Sequence, residues 1–89
     1  MQNVLTKTLE QRRENLRALA AASSFASIAR SLGYQSSTFL IHQAGPNPSR
    51  TVTEATARKI ETTFGLPHGS FDKPLTENII KTVAKHFSV

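Results

Sequence analysis

The apolar residues of this chain recur at helical spacing, and no segment of strand length alternates strictly between apolar and polar side chains. The first pattern is typical of helices that each bury one face, whereas a half-buried strand needs the alternation. Serine pairs, glycines and prolines interrupt the apolar pattern repeatedly, so each helix must be short. The sequence therefore predicts an all-α fold, a compact bundle of about five short helices.

Caps and breakers locate these helices along the 89 residues, a length that allows one domain with one core. Ser24 and Thr53 are expected to cap two helices, and Gly33, Gly45 and Gly65 to end three. The predicted helices span about residues 8–22, 25–32, 36–43, 54–64 and 76–87, with a tight helical turn over 66–72. Residues 1–89 are thus predicted to form a single domain.

The chain is basic, because eleven Lys and Arg residues face six Asp and Glu residues and give a formal net charge of +5. Such an excess favours association with a polyanion and says nothing about the fold. No segment is apolar for the roughly 18 residues that cross a bilayer, and no secretory signal is visible. We therefore expect a cytoplasmic protein without a membrane partner.

The residue types that carry catalysis or metal binding are sparse. The absence of cysteine excludes a disulfide framework, a thiolate zinc site and a cysteine nucleophile. His68, Ser70 and Asp72 crowd into one turn, which does not align a nucleophile, a base and an orienting acid. His42 and His86 lie apart from that turn, and the three histidines lack the spacing of metal ligands. We therefore expect no enzyme activity, no cofactor and no metal.

Residues 25–45 combine a short helix, a tight turn and a second short helix, as in a helix-turn-helix. Ala29 is small where the two helices would come closest, and Gly33 allows the turn. Leu32 and Phe39 are expected to fill the wedge between the helices. Ordinary helical hairpins share this pattern, so the flanking sequence has to decide between DNA reading and simple packing.

The flanking sequence resembles the lambda-repressor-like (Cro/CI, XRE-type) helix-turn-helix family of phage and bacterial regulators. The resemblance covers about residues 12–75, with residues 13–19 similar to the family's first helix and residues 25–33 to its second. It rests most on a string that the family often carries after the recognition loop. Here that string is Thr56-Ala57-Arg58-Lys59-Ile60-Glu61, then Gly65-Leu66-Pro67, Gly69, Phe71-Asp72 and Pro74-Leu75, with Phe71 where tryptophan is common.

The resemblance implies a nucleoid-associated transcriptional regulator or repressor. Its recognition helix would begin near Gln35 and enter the major groove of double-stranded DNA. Gln35, Ser36 and Ser37 would read bases from the first turn, and Ile41 would be the next outward position. Glutamine bonds adenine bidentately, and Leu40 or Ile41 would pack on a thymine methyl group. The alternative is that Ser36 and Ser37 only cap and solvate the helix.

The sequence departs from the family pattern in three ways. Gln35 stands at the cap position where Ser or Thr is usual, so Ser36 is an alternative cap. His42 replaces the apolar residue that anchors the recognition helix; we expect it to be partly buried and neutral, the alternative being a protonated side chain on a phosphate. No Lys or Arg lies between Arg30 and Arg50, so specificity would be modest or depend on DNA shape.

The flanks of the recognition helix are expected to supply the contacts with the DNA backbone. Free backbone N–H groups at the start of the second helix form one anion site, and the loop after the recognition helix supplies others by analogy with the family. The residues predicted to contact phosphate are Ser24, Asn47, Ser49, Arg50 and Arg17. Arg12 and Arg13 are weaker candidates, because the arginines of the first helix can instead form a solvated face paired with its glutamates.

The last predicted helix carries an apolar stripe wide enough for two contacts. One part would close the core and the other would meet a second copy, since a two-fold dimer doubles the DNA site. The residues predicted for this homodimer interface are Ile79, Ile80, Val83 and Phe87. The alternative is that all four close the core of their own protomer.

A protein-interaction module on the same fold, of the antitoxin or antirepressor type, is the alternative function. Leu40 and Ile41 support it, as two apolar residues in an otherwise polar recognition helix. Salt separates the two functions, because DNA binding weakens steeply with salt and an apolar protein contact does not.

Overall fold

The computed structural model describes residues 4–87 of the chain. Within this range the chain forms five α-helices and one short 3₁₀ turn, and no strand. The helices are α1 Val4–Ala22, α2 Phe25–Ser31, α3 Thr38–Ala44, α4 Glu54–Phe64 and α5 Glu77–His86, and the 3₁₀ turn is Ser70–Asp72. The predicted all-helical fold is confirmed for these residues, while residues 1–3, 88 and 89 of the predicted domain lie outside them. None of the helices within residues 4–87 is long and apolar enough to cross a membrane.

The starts of α1 and α3 differ most from the prediction. α1 begins at Val4 rather than near residue 8, since no Gly or Pro interrupts the segment that follows Val4. α3 begins at Thr38 rather than near residue 36. The Ser36 hydroxyl accepts a hydrogen bond from the Thr38 backbone N–H at 3.4 Å, so this side chain offers the backbone a turn in place of a helical bond. Ser37 then precedes α3 without a side-chain capping bond.

Three further helix ends follow from residues that the sequence predicts to cap or end a helix. The side chains of Ser24 and Thr53 accept hydrogen bonds from backbone N–H groups in the first turns of α2 and α4. After α2, Gly33 has a φ of 85°, and the Tyr34 N–H donates to the Ala29 carbonyl at 2.9 Å. This left-handed ending favours glycine because a Cβ would be strained there. It turns the chain from α2 towards α3.

α1 is the element on which most of the others pack. It contacts α3, α5 and the 3₁₀ turn, while α4 contacts the 3₁₀ turn and α5, and α2 packs on α3. Leu16 and Leu19 of α1 are fully buried. The other fully buried apolar side chains are Ile28, Leu40, Val52, Ala57, Ile60 and Phe71. Val83 of α5 is 1% exposed and belongs to the same cluster, so one core joins all five helices and the 3₁₀ turn.

The rotation of α3 about its axis contradicts three predictions. Leu40 is fully buried, so it fills the core and is not exposed to a partner, whether a thymine methyl group or a protein. Phe39, predicted to fill the wedge between the helices, is 40% exposed. His42 is exposed rather than partly buried, and Gln43 takes the inward position instead. The physical reason is that Leu40 and Ala44 lie one helical turn apart and together form the buried face of α3.

Candidate nucleic-acid interface

The α2–α3 unit is closely packed around a small residue, as its sequence predicts. Ala29 is 1% exposed, and Leu32 is 4% exposed beside the turn at Gly33. Ile28 of α2 and Leu40 of α3 are fully buried in the same core cluster. The unit therefore has a fixed core, and one face of α3 is left open to solvent.

The open surface of α3 continues into the turn that precedes the helix. Gln35 and Ser36 are exposed in this turn, Ser37 is half-buried, and Ile41 is 39% exposed on the helix. Three of the four predicted base readers thus precede the helix instead of forming its first turn, and the fourth, Ile41, lies in the middle of α3. The exposed helical positions are Thr38, Phe39, Ile41 and His42.

Thr38 and His42 are outward residues of α3 that the sequence reasoning did not place among the readers. They are one turn apart, on the side of the helix opposite the buried pair Leu40 and Ala44. The sequence contains a local signal for this rotation, since Leu40 and Ala44 have the spacing of a buried face, but long-range packing decides whether that face or the side with Phe39 turns inward. Because an apolar anchor is expected at residue 42, the sequence analysis does not predict the outward position of His42.

Two arginines of α1 hold the C-terminal end of α3. Arg13 donates through Nε to the Gln43 carbonyl at 2.9 Å. Arg17 donates through Nε to the Ala44 carbonyl at 3.0 Å and through Nη2 to the Gly45 carbonyl at 3.1 Å. These carbonyls have no partner within the helix, and a cation there also interacts favourably with the helix dipole. Arg17, predicted to contact phosphate, is thus engaged within the protomer, where it positions α3.

The loop after α3 is attached to the same helix end. The His42 carbonyl accepts the backbone N–H groups of Ser49 at 2.8 Å and Arg50 at 3.0 Å. Arg13 Nη2 also donates to the Arg50 carbonyl at 3.0 Å. Asn47, Ser49 and Arg50 are all exposed in this loop. Within residues 4–87 the Arg50 guanidinium makes no hydrogen bond or ion pair, so it is available to a ligand.

The segment from the middle of α1 to the N-cap of α4 carries basic side chains and no acidic ones. Between residues 15 and 53 the sequence contains no Asp or Glu, and its cations are Arg17, Arg30 and Arg50. Arg30 of α2 and Arg50 are exposed. An anion that approaches α2, α3 and the loop therefore meets no acidic side chain belonging to that segment.

Several residues of the string on which the resemblance to a family most depends form an ion-pair network. They are Arg58, Glu61 and Asp72. Arg58 Nη1 lies 2.6 Å from Glu61 Oε2, and Arg58 Nη2 donates to Asp72. Arg12 of α1, only 5% exposed, donates through Nε to Asp72 Oδ1 at 2.7 Å. The network holds α1, α4 and the 3₁₀ turn together, and Asp72 is fully engaged in it. These residues therefore have a structural role within the protomer.

Glu61 also caps the turn itself. Its two carboxylate oxygens accept the backbone N–H groups of Gly69 at 3.0 Å and Phe71 at 2.9 Å. Burial raises the pKa of this carboxyl, but the two N–H donors and the Arg58 guanidinium more than offset it, so the net pKa is lowered. The pKa of Asp72 is lowered as well, chiefly by the hydrogen bond from Arg12, against burial and with help from Arg58.

The remaining predicted sites are partly used inside the protomer. The Ser24 hydroxyl accepts the Ser27 N–H at 3.0 Å as a helix cap. In α5, Val83 is 1% exposed, and Ile80 and Phe87 pack against the core. Ile79 is half-buried and lies outside that core cluster. Of the four residues predicted for a dimer, Ile79 is thus the one least used by the protomer.

Comparison of the chain with protein-family models, curated proteins and solved structures gives no match. The geometry of the α2–α3 unit and its surroundings therefore carries the functional argument.

Proposed function

We propose that this chain is a lambda-repressor-like transcriptional regulator, of phage or bacterial type, that binds double-stranded DNA in a sequence-specific manner. The observation that carries the proposal is the clamp on α3: Arg13 and Arg17 fix its C-terminal end, while Thr38 and His42 remain on its outer face. A helix held in place, with an exposed side that carries polar side chains, is what reading the major groove requires, because the groove admits a single helix.

The proposed base readers lie in two groups. Gln35 and Ser36, in the turn before α3, and Thr38 and His42, on the helix, offer hydrogen-bonding groups to base edges. Ile41, exposed beside them, offers an apolar contact to a thymine methyl group. None of these is a long basic side chain, so discrimination at any single base pair would be modest and several contacts would have to act together.

The proposed phosphate contacts come from the loop and from α2. Arg50 carries the free guanidinium, and Asn47 and Ser49 present polar side chains in the same loop. Arg30 is exposed on α2 and is a further candidate. Such contacts position a protein on the duplex and make binding dependent on salt, without selecting a sequence.

A homodimer is part of the proposal, because seven residues of α3 reach only a few base pairs. Two protomers related by a two-fold axis would read two half-sites about one helical turn apart. The exposed part of Ile79 on α5 is the apolar surface proposed for that contact.

The test is selection of binding sequences from random duplex DNA, repeated at low and high salt. A palindrome with half-sites about one turn apart is expected, bound about 10³-fold or more weakly between 50 and 200 mM salt. Thr38→Ala and His42→Ala should relax the selected sequence at defined positions, while Lys81→Ala on α5 is the matched control that should not. No binding at any salt concentration would overturn the proposal.

A protein-interaction module of the antitoxin or antirepressor type is the second candidate. Phe39 and Ile41, at 40% and 39% exposure, are large apolar side chains on the outer part of α3 and favour it. Such a contact would bury those side chains and would change little with salt. Replacement of both by Ser would abolish it, whereas DNA binding would retain its salt dependence.

A further inference from the structure

A cleft opens beside α3, between this helix and the loop that follows it. Its volume is about 520 Å³, within the range of about 300–1,000 Å³ that is usual for small-molecule sites. Phe39 and Gln43 of α3 form one wall, Arg13 of α1 lies at another, and residues 48–51 and 53 complete the lining. The cleft thus combines an aromatic side chain, an amide and two arginines in one place.

The amide of Gln43 is the first sign that the cleft is built for a ligand. Gln43 is 1% exposed, and its Oε1 has no hydrogen-bond partner among residues 4–87. Buried polar atoms are paired in the great majority of proteins. Gln43 lines the cleft, and because its Oε1 has almost no accessible surface, the side-chain amide must turn about its terminal bond before a hydrogen-bond donor bound there can supply the missing partner.

The charge of the lining is the second sign. The Arg13 guanidinium is held in place by the carbonyls of Gln43 at 2.9 Å and Arg50 at 3.0 Å, and within the described residues its Nη1 donates to no acceptor. Arg50 adds a second guanidinium, and no acidic residue lines the cleft. Guanidinium groups bind carboxylates through paired N–H donors.

The Phe39 ring forms an apolar wall of the cleft and is held in position by neighbouring side chains. The Phe39 ring is braced by Tyr34, whose ring centroid lies 5.4 Å away at an angle of 77°. The Tyr34 ring is in turn covered by the ammonium group of Lys59, 4.6 Å from its centroid. A side chain supported in this way keeps its position, so it suits a planar ligand.

We propose that the cleft binds a small aromatic carboxylate that also carries a hydrogen-bond donor. The carboxylate would pair with Arg13 and Arg50, the ring would lie against Phe39, and the donor would bond the Gln43 amide. Arg50 is also a proposed phosphate contact, so the ligand would compete with DNA; that consequence alone rests on the proposed function.

The probe is 4-hydroxybenzoate, titrated into the ¹⁵N-labelled full chain without DNA. Amide resonances of residues 39–53 should shift together and saturate with a dissociation constant on the order of 1 mM, as expected for so small a molecule. Benzoate, which lacks the donor, should bind about 3- to 10-fold more weakly. 4-Hydroxybenzyl alcohol, which lacks the negative charge, should bind at least about 10-fold more weakly than 4-hydroxybenzoate.

Two variants separate the site from general attraction of anions to a basic protein. Gln43→Leu should make 4-hydroxybenzoate and benzoate bind equally, and Arg50→Gln should weaken both acids by about the same factor. Lys81→Gln, at an exposed lysine of α5, is the matched control and should change neither. The proposal would be overturned if no resonances shifted or if the shifts spread over the whole basic surface. It would also be overturned if Gln43→Leu left the difference in affinity between the two acids unchanged. Because no DNA is present, a failure of DNA binding would leave this result standing.

Discussion

The guanidinium of Arg12 donates to both carboxylate oxygens of Asp72, at 2.7 and 3.2 Å, across sixty residues of sequence. The side chains are 6% and 25% exposed, so this pair is far better shielded than a surface salt bridge. Arg58 donates to the same carboxylate and is itself paired with Glu61. Two cations and two anions thus form one network, which fastens the 3₁₀ turn to α1 and α4.

Asp72→Asn is expected to destabilise the fold by about 2–4 kcal/mol, because it leaves two largely buried guanidinium groups without one of their counter-charges. Urea unfolding at pH 7 measures the loss. The matched control is Glu77→Gln, which removes the carboxylate 3.3 Å from Lys81 in an exposed pair and should cost less than about 0.5 kcal/mol. Equal losses for the two variants would contradict a structural role for the network.

Acid should unfold the protein through the same network. The pKa values of Glu61 and Asp72 are lowered in the folded state, whereas in the unfolded chain such groups titrate near about 4. Between the folded-state pKa and the unfolded-state pKa of each carboxyl, the unfolded chain binds more protons than the folded one. The free energy of unfolding therefore rises with pH in that interval. The stabilisation is therefore complete above about pH 5 and is lost as the pH falls below about 4 towards the folded-state values.

Urea midpoints measured between about pH 7 and pH 3 test this expectation. The double variant Glu61→Gln with Asp72→Asn should be less stable at pH 7 and should depend much less on pH below about 5. A wild-type midpoint that stays level down to about pH 3 would show that these carboxyls do not govern acid unfolding.

The helices could be predicted from sequence wherever the signal is local. Ser24 and Thr53 cap helices as expected, and Gly33 and Gly65 end them, because a cap depends on residues within one turn. α3 is different. Its rotation depends on which side packs against the rest of the core, and the choice between Phe39 and Leu40 as the inward residue is made by long-range packing.

The sequence predicts where the candidate site lies in the fold, but not the role of each of its side chains. The exposed positions of Gln35 and Ser36 follow from the helix-turn-helix pattern. The roles of Arg13 and Arg17 do not, since their acceptors are backbone carbonyls about 27 to 37 residues away and carry no sequence signal. A basic residue on an amphipathic helix looks the same in sequence whether its guanidinium meets water, a phosphate or the end of another helix.

Gln43→Leu is expected to stabilise the protein by about 1 kcal/mol, or about 4–8 °C in Tm, because it removes a buried amide oxygen that has no partner. Thermal unfolding of the ligand-free protein measures this change. Asn15→Leu is the matched control, a buried amide whose Nδ2 donates to the Phe71 and Lys73 carbonyls at 2.7 and 2.8 Å. It should destabilise by about 1–3 kcal/mol. A loss of stability in both variants would mean that Gln43 is satisfied in solution.

Ile79→Asp is expected to yield a folded monomer, because Ile79 is half-buried and lies outside the core cluster of its own protomer. Sedimentation equilibrium compares its mass with that of the wild-type chain. Val83→Ala is the companion variant: Val83 is 1% exposed, so it should lower stability by about 1–2 kcal/mol and leave the oligomeric state unchanged. A wild-type chain that is already monomeric at high concentration would contradict the proposed α5 contact.

Arg17 and Arg50 should affect DNA binding in different ways. Arg50→Ala removes a proposed phosphate contact, so it should lower the magnitude of the slope of log K against log salt by about one per protomer. Arg17→Ala removes donors to the Ala44 and Gly45 carbonyls, and should weaken binding by loosening α3 while the slope stays the same. Affinity measured at several salt concentrations on the selected operator gives both slopes, and circular dichroism verifies that each variant is folded. A reduced slope for Arg17→Ala would identify Arg17 as a phosphate contact after all, because loss of a positioning contact releases no counterion.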